Sequence, residues 1–266
     1  MKKLKIGIIG VGRLGLRACL QHANRVPGSE LVAIADANFD RAKQVAEELG
    51  VTAVYNDPKA LCADPNVEAV AIITNTASHV EMIKIAMDAG KHVFCEKPLA
   101  DTVEKCKEAE AIIAAHPELT FMLGFMRRYD HSYQVAKKKM ENGDIGDVIL
   151  VRCYSQDPIS IIEGTLEYAP RSGGQFIDMS IHDFDLIRWL TGSEVKELWA
   201  TGGCYEFKQY KDWDDGDNVS GLMKMENDAM AFFFAGRAAA HGSHVETEIV
   251  GTRGPCVSHP FRPTLS

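Results

Sequence analysis

The stretch Ser172–Leu190, SGGQFIDMSIHDFDLIRWL, holds the pairing best suited to chemistry in this chain. Asp178, His182 and Asp185 are spaced i, i+4 and i+7, so a helix aligns them on one face. A carboxylate one turn before an imidazole is a general base with an orienting partner. Ile177, Ile181, Phe184 and Ile187 recur at helical spacing, and Phe176, Met179, Leu186, Trp189 and Leu190 cover much of the remaining circumference. The pattern predicts one buried helix of about five turns. Burying Asp178 and His182 costs on the order of several kcal/mol unless they are paired or used. Taken alone, the stretch reads equally as a structural Asp–His pair. Gly173-Gly174 lets its N-terminus approach a neighbour closely. What surrounds the pair has to decide between the two readings.

The first half supplies a cofactor frame. Leu4–Ile9 is a short apolar run that predicts a buried parallel strand. It leads into Gly10-Val11-Gly12-Arg13-Leu14-Gly15, a G-x-G-x-x-G, followed by a helical pattern through about Val26. A second strand, Leu31–Ala35, ends at Asp36, 21 residues after Gly15. A carboxylate at that point accepts both ribose hydroxyls of an adenosine, while the glycines let backbone approach a pyrophosphate at the helix N-terminus. Gly10, Gly12, Arg13, Leu14, Gly15, Asp36 and Ala37 are the expected cofactor contacts. Asp36 repels a 2′-phosphate and Ala37-Asn38 offers no arginine to receive one, so NAD is favoured over NADP; Arg41 is the nearest arginine.

Strands near Ala53–Tyr55, Val67–Thr74, His92–Cys95 and Thr120–Gly124 alternate with helices at Asp40–Leu49, Pro58–Ala63, Val80–Ala89 and about Val103–Ala115. Six strands separated by helices predict a doubly wound parallel sheet over residues 1–124. Ligands of such sheets bind beyond the carboxyl ends of strands. Two polar clusters lie there: Thr74-Asn75-Thr76 with His79, and Glu96-Lys97-Pro98. Lys97 reads as a solvated surface lysine in isolation. At the sheet end that should face a nicotinamide, held between a carboxylate and a proline, its ammonium can stabilise a developing alkoxide. Pro98 is a candidate for a cis bond.

Composition narrows the partners. The chain has 266 residues and a net charge of −8, with no basic run beyond Lys137–Lys139, which argues against nucleic acid. The seven cysteines are dispersed with no C-x-x-C, as expected of thiols in a reducing cytoplasm. The lysines and apolar run at the N-terminus are interrupted by the glycine motif, so neither export nor a membrane span is expected. There is no compact metal-ligand set, and Lys97 can serve the role a zinc would.

After about Phe125 the alternation stops. Met126-Arg127-Arg128-Tyr129 is followed by a predicted helix at Ser132–Asn142 and a strand at Val148–Ser155. Strand-like runs at Val195–Cys204, Asn218–Met225, Ala229–Ala235 and His244–Gly251 predict a mostly antiparallel sheet in a second α/β domain, residues 125–266. Its Phe- and Met-rich strands suit a pocket wall or an oligomer interface, though ordinary core packing explains most of them.

GVGRLG, EKP, RRY and SGG-x3-D-x3-H-D together resemble the family of glucose–fructose oxidoreductases and inositol dehydrogenases, over nearly the whole chain. YSQDP at Tyr154–Pro158, IHDFD at Ile181–Asp185 and HVETEIVGT at His244–Thr252 are most similar to inositol 2-dehydrogenases. The resemblance implies a Rossmann domain followed by a substrate-binding and oligomerisation domain, in a homotetramer. It implies catalytic roles for Lys97, Asp178 and His182, and puts Asn75 and His79 near the cofactor. It puts Arg127, Asp157 and His241 or His244 around a polyol.

The implied reaction oxidises myo- or scyllo-inositol, with His182 as base, Asp178 orienting it and Lys97 holding the substrate oxygen. Because an ordinary histidine titrates near about pH 6.5, oxidation should be favoured above that value. A related sugar or dihydrodiol dehydrogenase, or a non-catalytic NAD-binding product, is the alternative. Two departures bear on it. Family members commonly run longer, and Arg253–Ser266, with Gly254-Pro255 and further prolines, does not read as the next strand, so the second domain is expected to be cut short. Around Gly242-Ser243-His244, small or polar groups replace aromatic residues that some inositol dehydrogenases carry near the sugar.

Overall fold

A computed structural model describes residues 2–261. Its chain divides into two compact units with the boundary between Gly124 and Phe125.

The first unit alternates strand and helix throughout: β1 (Leu4–Ile9), α1 (Arg13–Asn24), β2 (Ser29–Ala35), α2 (Phe39–Leu49), β3 (Ala53–Tyr55), α3 (Pro58–Ala63), β4 (Ala69–Ile72), α4 (His79–Asp88), β5 (His92–Cys95), α5 (Val103–Ala114) and β6 (Phe121–Leu123). The strands form one parallel sheet in the order β3-β2-β1-β4-β5-β6. Ile8, Ile9, Val70 and Ile72 are buried, which explains why these strands read as apolar runs rather than alternating ones. One core lies on each side of the sheet, one around Val70, Ile83 and Met87 and the other around Ile8, Ile34 and Val45. Strand order reverses between β1 and β4, and that crevice is where a doubly wound sheet receives its ligand.

The second unit contains α6 (His131–Glu141), β7 (Val148–Pro158), α7 (Ile162–Tyr168), α8 (Gln175–Asp178), α9 (Ile181–Thr191), β8 (Val195–Gly203), β9 (Asn218–Met225), β10 (Met230–Ala239), β11 (His244–Gly251) and β12 (Gly254–Phe261). Its sheet runs β12-β11-β7-β10-β9-β8. Every pairing is antiparallel except β10 with β7. One face packs Val151, Cys153, Phe233 and Ile249 against Leu186, Ile187 and Tyr133 of the helices. On the other face Trp199, Leu222 and Phe232 fall in register. Trp199 is 62% exposed and Leu222 56%. Among the described residues no helix is long and apolar enough to cross a membrane.

Two expectations are corrected. Residues 254–261 do form a further strand, β12, paired antiparallel with β11. Pro255 is tolerated because among the described residues β12 is an edge strand, where a missing N–H need not break a ladder. The expected irregular run at 262–266 lies outside the described residues. Secondly, residues 172–190 are not one helix. The carbonyl of Gln175 accepts from both Met179 N and Ser180 N, and the ladder then restarts at Ser180, whose carbonyl accepts from Asp183 and Phe184. This five-residue reach widens the turn and separates α8 from α9. Asp178 therefore ends one short helix while His182 and Asp185 lie on the next, and the three do not share a continuous helical face.

Candidate active site

The cofactor end of the first unit is built from backbone. Gly10 has φ of +94°, and a Cβ there would stand 2.5 Å from the carbonyl oxygen of Ile73. A Cβ on Gly15 would come within 1.9 Å of the Gly10 carbonyl oxygen, so only glycine closes this turn. Gly12 is different, because a Cβ there meets no protein atom within 4 Å. It is exposed at the start of α1, whose N-terminus has no side-chain cap and no acidic residue in its first turn. An open helix N-terminus with unsatisfied N–H groups is an anion cradle. Arg13 and Leu14 are exposed beside it.

Asp36 closes β2. Its Oδ2 accepts from Val11 N at 2.7 Å and its Oδ1 from Asn38 N at 2.7 Å. Each oxygen keeps a lone pair, so the carboxylate is held in place by the glycine loop and can still accept ribose hydroxyls. Ala37 is exposed next to it. These features fit a dinucleotide with an unphosphorylated adenosine ribose.

Across the crevice, Asn75 is exposed after β4. The Ser78 hydroxyl oxygen lies 2.8 Å from Thr74 Oγ1 and 2.9 Å from the Asn75 carbonyl oxygen, within hydrogen-bond distance of both. His79, the first residue of α4, is buried, and its Nδ1 lies 2.8 Å from the Pro98 carbonyl oxygen. Burial holds His79 below the ordinary histidine value, against the opposing pull of backbone groups at Pro98, Thr74 and Leu99. This contact ties α4 to the turn after β5, where the Lys97–Pro98 bond is cis. Lys97 is half-buried and its backbone N–H donates to Glu96 Oε2 at 3.2 Å. Burial raises the Glu96 carboxyl, opposed by the Lys97 N–H and ammonium.

In the second unit His182 is 9% exposed and meets Phe125 edge to face, with ring centroids 6.3 Å apart. Asp178 keeps 23% of its side chain exposed, and Arg237 Nη2 donates to its Oδ2 at 3.4 Å. The second unit thus holds a largely buried imidazole at the start of α9 and, at the end of the preceding short helix, a carboxylate paired with a buried guanidinium. Asp157 is half-buried near the end of β7. His244 stacks on Tyr154 with centroids 6.3 Å apart and stands edge to face with His241 at 5.7 Å.

Arg127 is committed inside the unit. Its Nη1 donates to Asp183 Oδ1 at 2.6 Å and its Nη2 to the Ser155 hydroxyl oxygen at 2.8 Å. Ser155 donates to the same Asp183 oxygen at 2.6 Å. Burial opposes the charge on Arg127, but Asp183, Tyr133 and Cys153 together outweigh it and hold the guanidinium above its ordinary value. Asp185 takes a two-pronged contact from Arg128 at 2.8 and 2.7 Å, which makes it a structural carboxylate. Asp183, Arg237, Asp215 and Asp217 were not singled out by sequence reasoning. The side-chain partners of Asp183, Arg237 and Asp215 lie far along the chain, and Asp217 is held by backbone N–H groups of Tyr205, Glu206 and Phe207 and by the Asn218 amide, which no motif marks.

Residues 4–125 match the oxidoreductase family with an NAD-binding Rossmann fold, and residues 133–257 match the GFO/IDH/MocA C-terminal domain. The chain belongs to the GFO/IDH/MocA oxidoreductases. As a member of that family it is an NAD-dependent oxidoreductase. Similar family members include myo-inositol 2-dehydrogenase of Thermotoga maritima, 34% identical over 98% of this chain and 77% of the relative. The NAD-dependent scyllo-inositol 2-dehydrogenase of Bacillus subtilis is 33% identical over 95% of this chain and 72% of its own length. Among solved structures, scyllo-inositol dehydrogenase of Lactobacillus casei with bound NAD(H) and scyllo-inositol superposes with a TM-score of 0.91. It is 40% identical, covering 96% of this chain and 76% of that one.

Proposed function

We propose that this protein oxidises a ring-borne secondary hydroxyl of a cyclic polyol, myo- or scyllo-inositol, to the ketone. The observation that carries the reading is the buried His182 with the half-buried Asp178 held against a guanidinium. It is supported by the inositol dehydrogenases among the relatives and by an NAD frame in the first unit. His182 takes the hydroxyl proton as the carbon gives up hydride and the C–O bond becomes a carbonyl. The bound dinucleotide supplies the hydride acceptor. Asp178 stabilises the imidazolium that forms, and Lys97 offsets charge developing on the substrate oxygen. Glu96, Thr74, Asn75 and His79 shape the cofactor pocket, while Asp157 and His244 contribute to polyol recognition. Arg127 acts here as scaffold, since both of its terminal nitrogens already donate, one to Asp183 and one to Ser155.

The test is NADH formation by the purified chain on myo-inositol, scyllo-inositol, glucose and a trans-dihydrodiol. Turnover is expected on an inositol and should drop by about 10²-fold or more in His182→Ala. Near-full turnover in that variant, with NAD binding intact, overturns the assignment of the base. Preference for glucose or the dihydrodiol moves the substrate elsewhere in the family.

A reducing cytoplasm fits the seven free thiols, four of them buried. We further propose a homotetramer that uses the open face of the second sheet, where Trp199, Leu222 and Met230 are exposed. Light scattering on the purified chain should give four times the 29.3 kDa chain mass.

A further inference from the structure

We propose that Arg237 is a positioning residue for catalysis: its fully buried guanidinium, shared between Asp178 and Asp215, fixes the carboxylate that backs His182. The proposal rests on the reading of Asp178 and His182 given above.

Arg237 lies on β10, facing the helices, and is 1% exposed. Its Nη2 reaches Asp178 Oδ2 at 3.4 Å and its Nη1 reaches Asp215 Oδ2 at 3.5 Å. The Tyr210 ring covers the guanidinium, 5.2 Å from centroid to Cζ. Asp215 has a second task. Its Oδ1 accepts from Gln175 N at 2.9 Å, the first backbone N–H of α8, the helix that ends in Asp178. One carboxylate thus holds the start of α8 while also holding the cation that grips its end. Gly174 supplies the backbone turn into this contact: its φ is +83°, a left-handed conformation that side-chain-bearing residues rarely adopt.

The two buried arginines of this unit are held differently. Arg127 meets its carboxylate at 2.6 Å, whereas both Arg237 ion pairs are near 3.5 Å, and neither Arg237 Nη1 nor Asp215 Oδ2 makes a well-aligned hydrogen bond. A guanidinium kept solely for stability closes on its carboxylate, because an under-satisfied buried charge is costly. Arg237 instead divides one positive charge between two carboxylates. One guanidinium between two carboxylates leaves the trio with a net negative charge, which suits the reading of His182 as a base that becomes cationic in the reaction. The planar fork is required, because an ammonium at the end of a flexible stem cannot address two carboxylates in fixed directions.

The test is a double-mutant cycle on the full chain with NAD and saturating inositol. The four proteins are the parent, Arg237→Lys, Asp178→Asn and the double variant. NADH is followed for hours, so that turnover slowed by about 10⁴-fold is still measured. Arg237→Lys should lower kcat by about tenfold while leaving the NAD dissociation constant within about twofold. In the Asp178→Asn background the same change should alter kcat by less than about twofold, because the group it acts through is gone. Arg237→Met should lower kcat further; if it does not fold, the lysine variant carries the test alone. An undiminished effect in the Asp178→Asn background, or parent-level kcat in Arg237→Lys, overturns the proposal and leaves the role of Asp178 standing. Parent-level kcat in Asp178→Asn removes both.

Discussion

The two units reach precision by opposite means. The first positions its ligand groups with backbone: three glycines, an uncapped helix end and a carboxylate held by two N–H groups. The second relies on buried charge, with Arg127 on Asp183, Arg128 on Asp185 and Arg237 on Asp178 and Asp215. A pyrophosphate of fixed shape suits a cradle with no side chains to adjust. The proposed base, His182, would gain a proton in the reaction, and fixed charges provide a field for that. The units should therefore fail differently when disturbed.

The largest effect is expected from Arg127→Met, which strands Asp183 in the second unit. Calorimetry should show a loss of about 3–5 kcal/mol there. A loss below about 1 kcal/mol would mean that the pair adds little to the fold. Gly15→Ala comes next. Its Cβ would meet backbone at 1.9 Å and cannot rotate away, so the first unit should lose about 3 kcal/mol. Preserved stability together with NAD binding in that variant would break the argument for a backbone-built cradle.

Asp217→Asn should cost about 2 kcal/mol in the second unit. Burial opposes the charge on Asp217, but the N–H groups of Tyr205, Phe207 and Glu206 and the Asn218 amide hold its carboxyl below the usual range. A depressed carboxylate contributes stability above its unfolded value of about 3.9, and that contribution is lost as pH falls through the folded value. An acid titration of the Asn variant should lack this component.

Gly12→Ala separates ligand from fold. With no protein atom near the new methyl, the melting temperature without cofactor should hold while NAD affinity falls about tenfold, or about 1.4 kcal/mol. Unchanged affinity would mean that the pyrophosphate does not approach there. The smallest effect is a pH slope in the first unit. Burial lowers both His79 and His22. The unfolded chain therefore takes up protons below about pH 6.5 that the folded unit resists, and stability is full above that value and declines beneath it. His79→Gln should flatten the slope; an unaltered slope would assign it to other groups.

The same contrast explains what could be read from sequence. The glycine loop, Asp36 and the strand–helix alternation are local, with each signal confined to a few neighbouring residues. The expectation for Lys97 rests on its position at a strand end. Ion pairs such as Arg127–Asp183 join residues 56 apart, and Arg237–Asp178 joins residues 59 apart, so no window along the chain contains both partners. The break after Asp178 was hidden because the apolar pattern continues across it while the hydrogen-bond ladder shifts. Pro255 argued against a strand on general grounds, and only sheet order reveals that β12 is an edge where proline is permitted.

That break also has a consequence for how the site can be altered. In an unbroken helix, the spacing of Asp178 and His182 would be set by helical geometry, and a sequence change could only rotate the pair together. Here Asp178 answers to β10 and the Asp215 turn, while His182 belongs to α9, which is anchored to β7 through Asp183 and Ser155. The proposed orienting group and the proposed base are two separately adjustable parts. A designer could retune the carboxylate through positions 174, 215 and 237 and leave the imidazole where it stands.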